Sequence, residues 1–310
     1  MYSGVTVAFL VHSTIHFAGM TITYKQFVGL NFLVTALILG GCSGDNHVKV
    51  LYSTEPGNSQ QVVPAQWHDV QEGLTYANIL VDVDGGSRKE LFVVKVNPRL
   101  FEFMIVENKD RANAKTLQEI QKEEGAVLAF NGAFFDTNFK PMGLLQDSGK
   151  RVHKVLQSDL MNGIFHVNCQ SAYPNVAELM SLKDYTDVPT SKSCDFWLQN
   201  GPILIDNAGG VRIGKDTGKA AGRTALGIDK DGNVVLIVVY QTLINSDNSL
   251  SLYQFAHMLA EKEPFVGMGL YSVLNLDGGP STGVAVGGEY LPEINPVENV
   301  VITLPRKQKI

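Results

Sequence analysis

The sequence predicts a single α+β domain, a mixed and largely antiparallel twisted β-sheet with flanking helices, preceded by an export signal and a polar tether. Three observations carry this. Apolar runs of strand length recur from Thr75 onward, separated by turns rich in Gly and Asp. Only two segments carry helix signals, a short polar run stopped by a glycine and an apolar-faced run opened by a capping box. No linker, internal repeat, heptad pattern or low-complexity tract divides residues 66–310.

Composition sets broad limits. The chain has 310 residues, 45% hydrophobic and 18% charged, enough apolar material for a sizeable core. Its formal net charge is -6 and it has no basic run, so binding to nucleic acid through phosphates is not expected. Thirty glycines exceed average usage by roughly a third, and many fall between apolar runs, as β connections require.

From Val5 to Gly41 the chain is mostly apolar, and Lys25 is its only formal charge. A transmembrane anchor and a signal peptide compete for this segment. A start at Met20 favours the signal peptide: Lys25 supplies the positive region and Phe27 to Leu39 a 13-residue apolar core. Leu39-Gly40-Gly41-Cys42 then reads as a bacterial lipobox, with Cys42 diacylated as the new N-terminus. The organisation expected is residues 1–41 as signal peptide, 42–65 as lipidated tether and 66–310 as the functional domain, facing the periplasm or cell surface. Cys169 and Cys194 are the remaining cysteines. In an oxidising compartment they form one disulfide or remain two buried thiols.

Along the domain, Thr75–Val83 and Leu91–Val96 read as strands joined by a turn at residues 84–87. Thr116–Glu124 reads as a short polar helix stopped by Gly125. Ala126–Phe130 is an apolar strand running into Asn131-Gly132. Further strands are expected at Gly163–Val167, Phe196–Ile205, Thr224–Ile228, Val234–Tyr240 and Ser272–Leu276. Asp229-Lys230-Asp231-Gly232-Asn233 closes a hairpin between two of them. Leu252, Phe255, Ala256 and Leu259 mark one face of a helix, and Ser251 with Gln254 forms the capping box that starts it.

Several chemistries are disfavoured. There is no Gly-x-Gly-x-x-Gly, and Gly218-Lys219 is followed by Ala220 where a P-loop needs a hydroxyl. The domain histidines His68, His153, His166 and His257 show no zinc-ligand spacing. No cofactor or protein-bound metal is expected. Gly279-Pro280-Ser281-Thr282-Gly283 fits a nucleophile elbow. The elbow needs a following helix and a later His, whereas Val284–Val286 reads as a strand and the last His is His257.

Four ordered blocks remain. They are Asn131-Gly132-Ala133-Phe134-Phe135-Asp136 with the later Lys140–Leu144 turn, Gln199-Asn200-Gly201-Pro202-Ile203-Leu204, Arg223–Asp229, and Asn275-Leu276-Asp277-Gly278-Gly279-Pro280-Ser281-Thr282. Together, over residues 70–305, the chain resembles the phosphodiester glycosidase family. Ala133 and Pro280 depart from the family's glycines. Pro280 lacks an N–H donor, which alters any phosphate contact made there. The resemblance implies hydrolysis of glycosyl-1-phosphodiester bonds, with a sugar-phosphodiester or polysaccharide as partner. The alternative is a non-catalytic lipoprotein of the same fold that binds glycans or assists exopolysaccharide assembly.

Residue chemistry agrees with the resemblance. Arg223 suits a phosphodiester anion through its planar fork; its other reading is a structural ion pair. Asp277 is a carboxylate at the end of an apolar strand, a nucleophile or acid–base group at the anomeric carbon, or an Asp-Gly turn former. Arg223 and Asp277 are the expected catalytic pair. Gly278, Gly279, Ser281 and Thr282 let backbone and hydroxyls approach an anion. Asn131 is a sugar ligand or a turn cap. The resemblance adds Gly132, Phe135, Gln199 and Thr224 as substrate contacts. Phe134 and Phe135 stack on a sugar or fill the core. A second carboxylate is not identifiable, Asp136 being only a weak candidate.

Overall fold

The computed structural model describes residues 65–83, 86–147, 150–167, 177–185, 196–241 and 247–307, together with strands at 10–17 and 20–27. Cys42, Cys169 and Cys194 lie outside the described residues, and so do the lipobox and the disulfide expected of them. The chain divides into two units, residues 1–60 and 61–310. In the first, β1 (Leu10–Phe17) and β2 (Met20–Phe27) pair antiparallel as a hairpin.

The second unit begins with β3 (His68–Gln71), β4 (Leu74–Val83), β5 (Ser87–Val96) and β6 (Phe101–Glu107). Helix α1 (Leu117–Glu124) leads to β7 (Leu128–Asn131). Then come β8 (Leu145–Asp147), β9 (Lys150–His153), β10 (Gly163–Val167), β11 (Ala177–Ser181), β12 (Phe196–Asn200) and β13 (Ile203–Ile205). A hairpin of β14 (Arg223–Ile228) and β15 (Val234–Val239) precedes α2 (Leu252–Glu261) and α3 (Phe265–Met268). The unit closes with β16 (Ser272–Asn275), β17 (Val284–Val286), β18 (Glu289–Leu291) and β19 (Asn299–Pro305).

These strands form three sheets of order β11-β10-β12-β8-β9, β13-β16-β14-β15-β5-β4-β3 and β18-β17-β7-β19-β6. Every described pairing is antiparallel. The sheets share one core: Phe92 and Leu236 from the seven-stranded sheet, Phe103 and Phe130 from the sheet that holds β6 and β7, Phe165 and Phe196 from the sheet that holds β10 and β12. Phe103, Phe165 and Phe196 meet with ring centroids 5.8–6.4 Å apart. Outside the seven-stranded sheet, α2 and α3 bury Phe255, Leu259 and Phe265 against Val235, Ile237 and Val273. Outside the β7 sheet, α1 buries Leu117 and Ile120 against Ala129, Val300 and Ile302.

Helix α2 starts as its sequence predicts, and α1 proves to carry a capping box of the same kind. Thr116 and Glu119 cap α1 reciprocally, Ser251 and Gln254 cap α2, and Gly125 ends α1 at φ 65°. One expected strand is split. Phe196–Ile205 divides at Gly201-Pro202 into β12 and β13, which belong to different sheets. The break follows from chemistry visible in the run, since proline cannot donate to a ladder. In the second unit, strands β3, β6, β8, β9, β11, β18 and β19 add to those the sequence predicts.

Candidate active site

Three strand ends bring the site together. Asn131 ends β7, Arg223 opens β14, and Asp277 follows β16. In the β14–β16 ladder Gly227 faces Val273 and Ala225 faces Asn275. The ladder ends at Asn275, and main-chain bonds carry the contact between the two segments onward to the Arg223 and Asp277 ends. The backbone confirms the approach: Leu276 N–H donates to Thr224 O at 2.8 Å and Gly279 N–H to Gly222 O at 2.8 Å. A Cβ on Gly278 would stand 2.8 Å from Gly222 O, so this close approach needs glycine.

Asn131 is fully buried and ties three segments together. Its Nδ2 donates to Asp277 O at 2.7 Å, and its Oδ1 accepts from the Thr224 hydroxyl at 2.9 Å and from Gly283 N–H at 3.1 Å. Asp277 N–H donates to Gly132 O at 3.2 Å. On the other side of the turn, Asn299 Oδ1 accepts from Ala133 N–H at 2.6 Å and its Nδ2 donates to Ala133 O at 3.0 Å. Gly132 is required there, because a Cβ would lie 2.2 Å from Asn299 Oδ1.

The Asp277 carboxylate accepts from Gly278 N–H at 2.9 Å and from the Ser281 hydroxyl. Burial outweighs both bonds and raises its pKa to about 6. Residues Gly279–Ser281 form a single 3-10 turn leading into β17. Ser281 therefore precedes a strand rather than a helix, which excludes the nucleophile-elbow geometry. Gly279 sits at φ 59°. Thr282 is buried and its hydroxyl has no partner among the described residues. The exposed Pro280 offers its carbonyl to Ile294 N–H and Asn295 N–H at 2.8 and 3.0 Å.

Arg223 is half-buried and held by main chain. Its Nε donates to Leu250 O at 2.8 Å and its Nη2 to Lys219 O at 2.7 Å. Among the described residues no carboxylate lies within ion-pair distance of it. The structural ion pair that would have explained Arg223 is thus not found there. Two neutral carbonyls orient the guanidinium, burial lowers its pKa, and Nη1 keeps its donors. A positioned cation with no described anion on it, on a strand end that adjoins the turn of a carboxylate whose pKa burial raises to about 6, suits an anionic ligand undergoing acid–base or nucleophilic chemistry.

Other expected contacts sit elsewhere. Gln199 is fully buried and saturated by backbone: Oε1 accepts from Leu144 and Leu156 N–H, and Nε2 donates to Leu156 and Met161 O. Phe135 packs beside Leu117 and Tyr290 and meets Phe139 edge-on at 5.2 Å, whereas Phe134 joins no core cluster. Asp136 Oδ1 caps its own turn through Asn138 and Lys140 N–H. Sequence reasoning missed Asn299 and Gln241, whose Oε1 accepts from Gly222 N–H at 3.0 Å. Neither residue carries a local signal, since each acts on a partner remote in sequence. Among the described residues no group of three or more His, Cys, Asp or Glu side chains is arranged to hold a metal.

The family model for phosphodiester glycosidase matches residues 124–304, more than half of the chain. An uncharacterised Escherichia coli K12 protein, YigE, is 26% identical over 175 residues, 56% of this chain and 63% of that protein. The chain thus spans less than two thirds of that relative's length. The catalytic domain of zebrafish N-acetylglucosamine-1-phosphodiester alpha-N-acetylglucosaminidase, auto-inhibited by its pro-peptide, aligns with TM-score 0.57 and 18% identity, over 78% of this chain and 88% of that one. A hypothetical protein from Synechocystis aligns with TM-score 0.55 and 19% identity, over 79% and 64%. At these identities the structural likeness shows a shared fold. The matched residues include Asn131, Arg223 and Asp277, and the chain belongs to the phosphodiester glycosidase family.

Proposed function

We propose that the chain is an exported, lipid-anchored hydrolase of glycosyl-1-phosphodiester bonds on envelope or extracellular glycans. The observation that carries the reading is Arg223. Main-chain carbonyls aim its guanidinium, no described carboxylate neutralises it, and main-chain bonds join its strand end to the turn that carries Asp277. A phosphodiester brings the single negative charge this cation lacks. In hydrolysis the bond between the anomeric carbon and the phosphate oxygen breaks, and the phosphomonoester leaves with the electron pair. Arg223 stabilises the charge that grows on the departing group. Asp277, as carboxylate, serves the anomeric carbon as nucleophile or as base toward water. Asn131, Thr224 and Gly132 hold Asp277 and its turn in place, and the hydroxyls of Ser281 and Thr282 line the same turn.

Incubating purified protein with a panel of sugar-1-phosphodiesters tests the reading. Release of free sugar and phosphomonoester supports it. Tight binding without release would favour the non-catalytic glycan-binding alternative. Anchoring at Cys42 rests on the Leu39–Cys42 sequence. Cys42→Ala should abolish incorporation of labelled palmitate, and a mutant that labels as well as wild type would remove the lipid anchor from the proposal.

A further inference from the structure

Glu298 stands immediately before β19 and is 2% exposed. No Lys, Arg or His lies within ion-pair distance of it among the described residues. Its one hydrogen-bonding side-chain partner there is Asn299, whose Nδ2 donates to Glu298 Oε2 at 2.9 Å. A buried carboxylate without an ion pair is costly, and an amide or apolar side chain would fill the place at less expense. That cost suggests the charge is used.

Asn299 shows where it is used. The same Nδ2 that bonds Glu298 also donates to Ala133 O, while Asn299 Oδ1 accepts from Ala133 N–H. Main-chain Asn299 O accepts from Gly132 N–H at 3.1 Å. Gly132 O in turn accepts from Asp277 N–H, and Asn131 holds Asp277 O. The Asn299 carboxamide and the Gly132–Ala133 peptide unit thus link the Glu298 carboxylate to the Asp277 backbone through an unbroken run of hydrogen bonds.

We propose that Glu298 is a positioning residue of this site, its carboxylate fixing the Asn299 carboxamide that clamps the Asn131–Ala133 turn on which Asp277 rests. The inference deepens the hydrolase reading and rests on it for its kinetic consequences. Burial raises the Glu298 pKa to about 7; Glu107 at the end of β6 adds to the rise, while Lys140 in the loop after β7 and His153 on β9 oppose it. Ionised Glu298 is the stronger acceptor for Asn299. Protonation near neutral pH weakens that bond and loosens the turn. Two carboxylates, Asp277 and Glu298, must then both be ionised for full activity.

The test is the pH dependence of kcat/KM for the full chain, on the phosphodiester that wild type cleaves best, with Glu298→Gln and Glu298→Ala alongside. In wild type log kcat/KM should fall in two steps as pH drops, the Glu298 step ending on a lower plateau before the Asp277 limb, and both variants should lack the Glu298 step. Glu298→Ala should lower kcat more than it changes KM, and the Gln variant, which keeps an acceptor for Asn299, should recover about tenfold of that loss. A single acid step in wild type, or an unchanged profile in Glu298→Gln, overturns the inference. If wild type cleaves no phosphodiester, the hydrolase reading falls, and NMR decides the role of Glu298. Main-chain amides of Gly132 and Ala133 and the Asn299 side-chain amide should titrate together near neutral pH in wild type and stay flat in Glu298→Gln. Flat wild-type resonances, or titration persisting in the variant, would refute the clamp.

Discussion

Asp277 and Arg223 stand at adjoining strand ends, and neither neutralises the other. The guanidinium is drawn off by Leu250 O and Lys219 O, and burial rather than a cation dominates the Asp277 shift. This arrangement costs stability. The folded-state pKa of Asp277 is raised from 3.8 to about 6, so the folded protein holds that proton more tightly than the unfolded chain. The corresponding stability is fully present below about pH 4 and is lost as pH rises through about 6. Asp277→Asn should therefore stabilise the domain at pH 8, by up to about 3 kcal/mol at 1.36 kcal/mol per unit, and change it little below pH 4. Urea melts of both proteins at the two pH values check this, and an equal difference at both would reject the burial argument. Other active-site carboxylates and cations carry similar costs where function needs them.

At the scale of elements, turns are held by amides from distant strands. Asn131, Gln199 and Asn299 each satisfy main-chain groups of segments far away in sequence. Asn131→Ala would leave Asp277 O, Gly283 N–H and the Thr224 hydroxyl unpaired. With buried unsatisfied groups costing about 1–3 kcal/mol each, the expected loss is about 3 kcal/mol, read as a lower urea midpoint with an unchanged slope. Gly132→Ala should destabilise the domain through the Asn299 clash, and Asn299→Gly in the same chain should relieve part of that loss. These amides also mark where sequence reading stops. The α2 capping box, the β14–β15 hairpin and the strand ends at Asn131 and Asp277 were legible because their signals are local. Gln199 reads as a substrate contact until its four backbone partners are seen. Strands β6 and β19 alternate or bury both faces without turn signals that single them out. The split of Phe196–Ile205 lay in Gly201-Pro202, a break that the apolar run on either side conceals.

At the scale of the molecule, three antiparallel sheets close around one core, and their strand ends carry the site. The Phe103, Phe165 and Phe196 rings come from two of these sheets. Phe165→Ala should cost about 3–5 kcal/mol and lower Tm by about 10 °C for a domain of this size. Because the site is built from strands β7, β14 and β16 rather than from that cluster, KM measured well below Tm should stay within about twofold. The α+β class and the family resemblance were readable from strand-length runs and four ordered blocks. How β12 and β13 come to lie in separate sheets was not, because pairing between remote strands has no local signature. The most direct measurement is steady-state turnover of a sugar-1-phosphodiester by wild type, Arg223→Lys and Asp277→Asn, with thermal melts as the folding control. Arg223→Lys keeps the charge but loses the fork, and should raise KM and lower kcat. Asp277→Asn should keep its fold and lower kcat by about 10³-fold or more. A well-folded Asp277→Asn protein with near-normal turnover would contradict a site built on this pair.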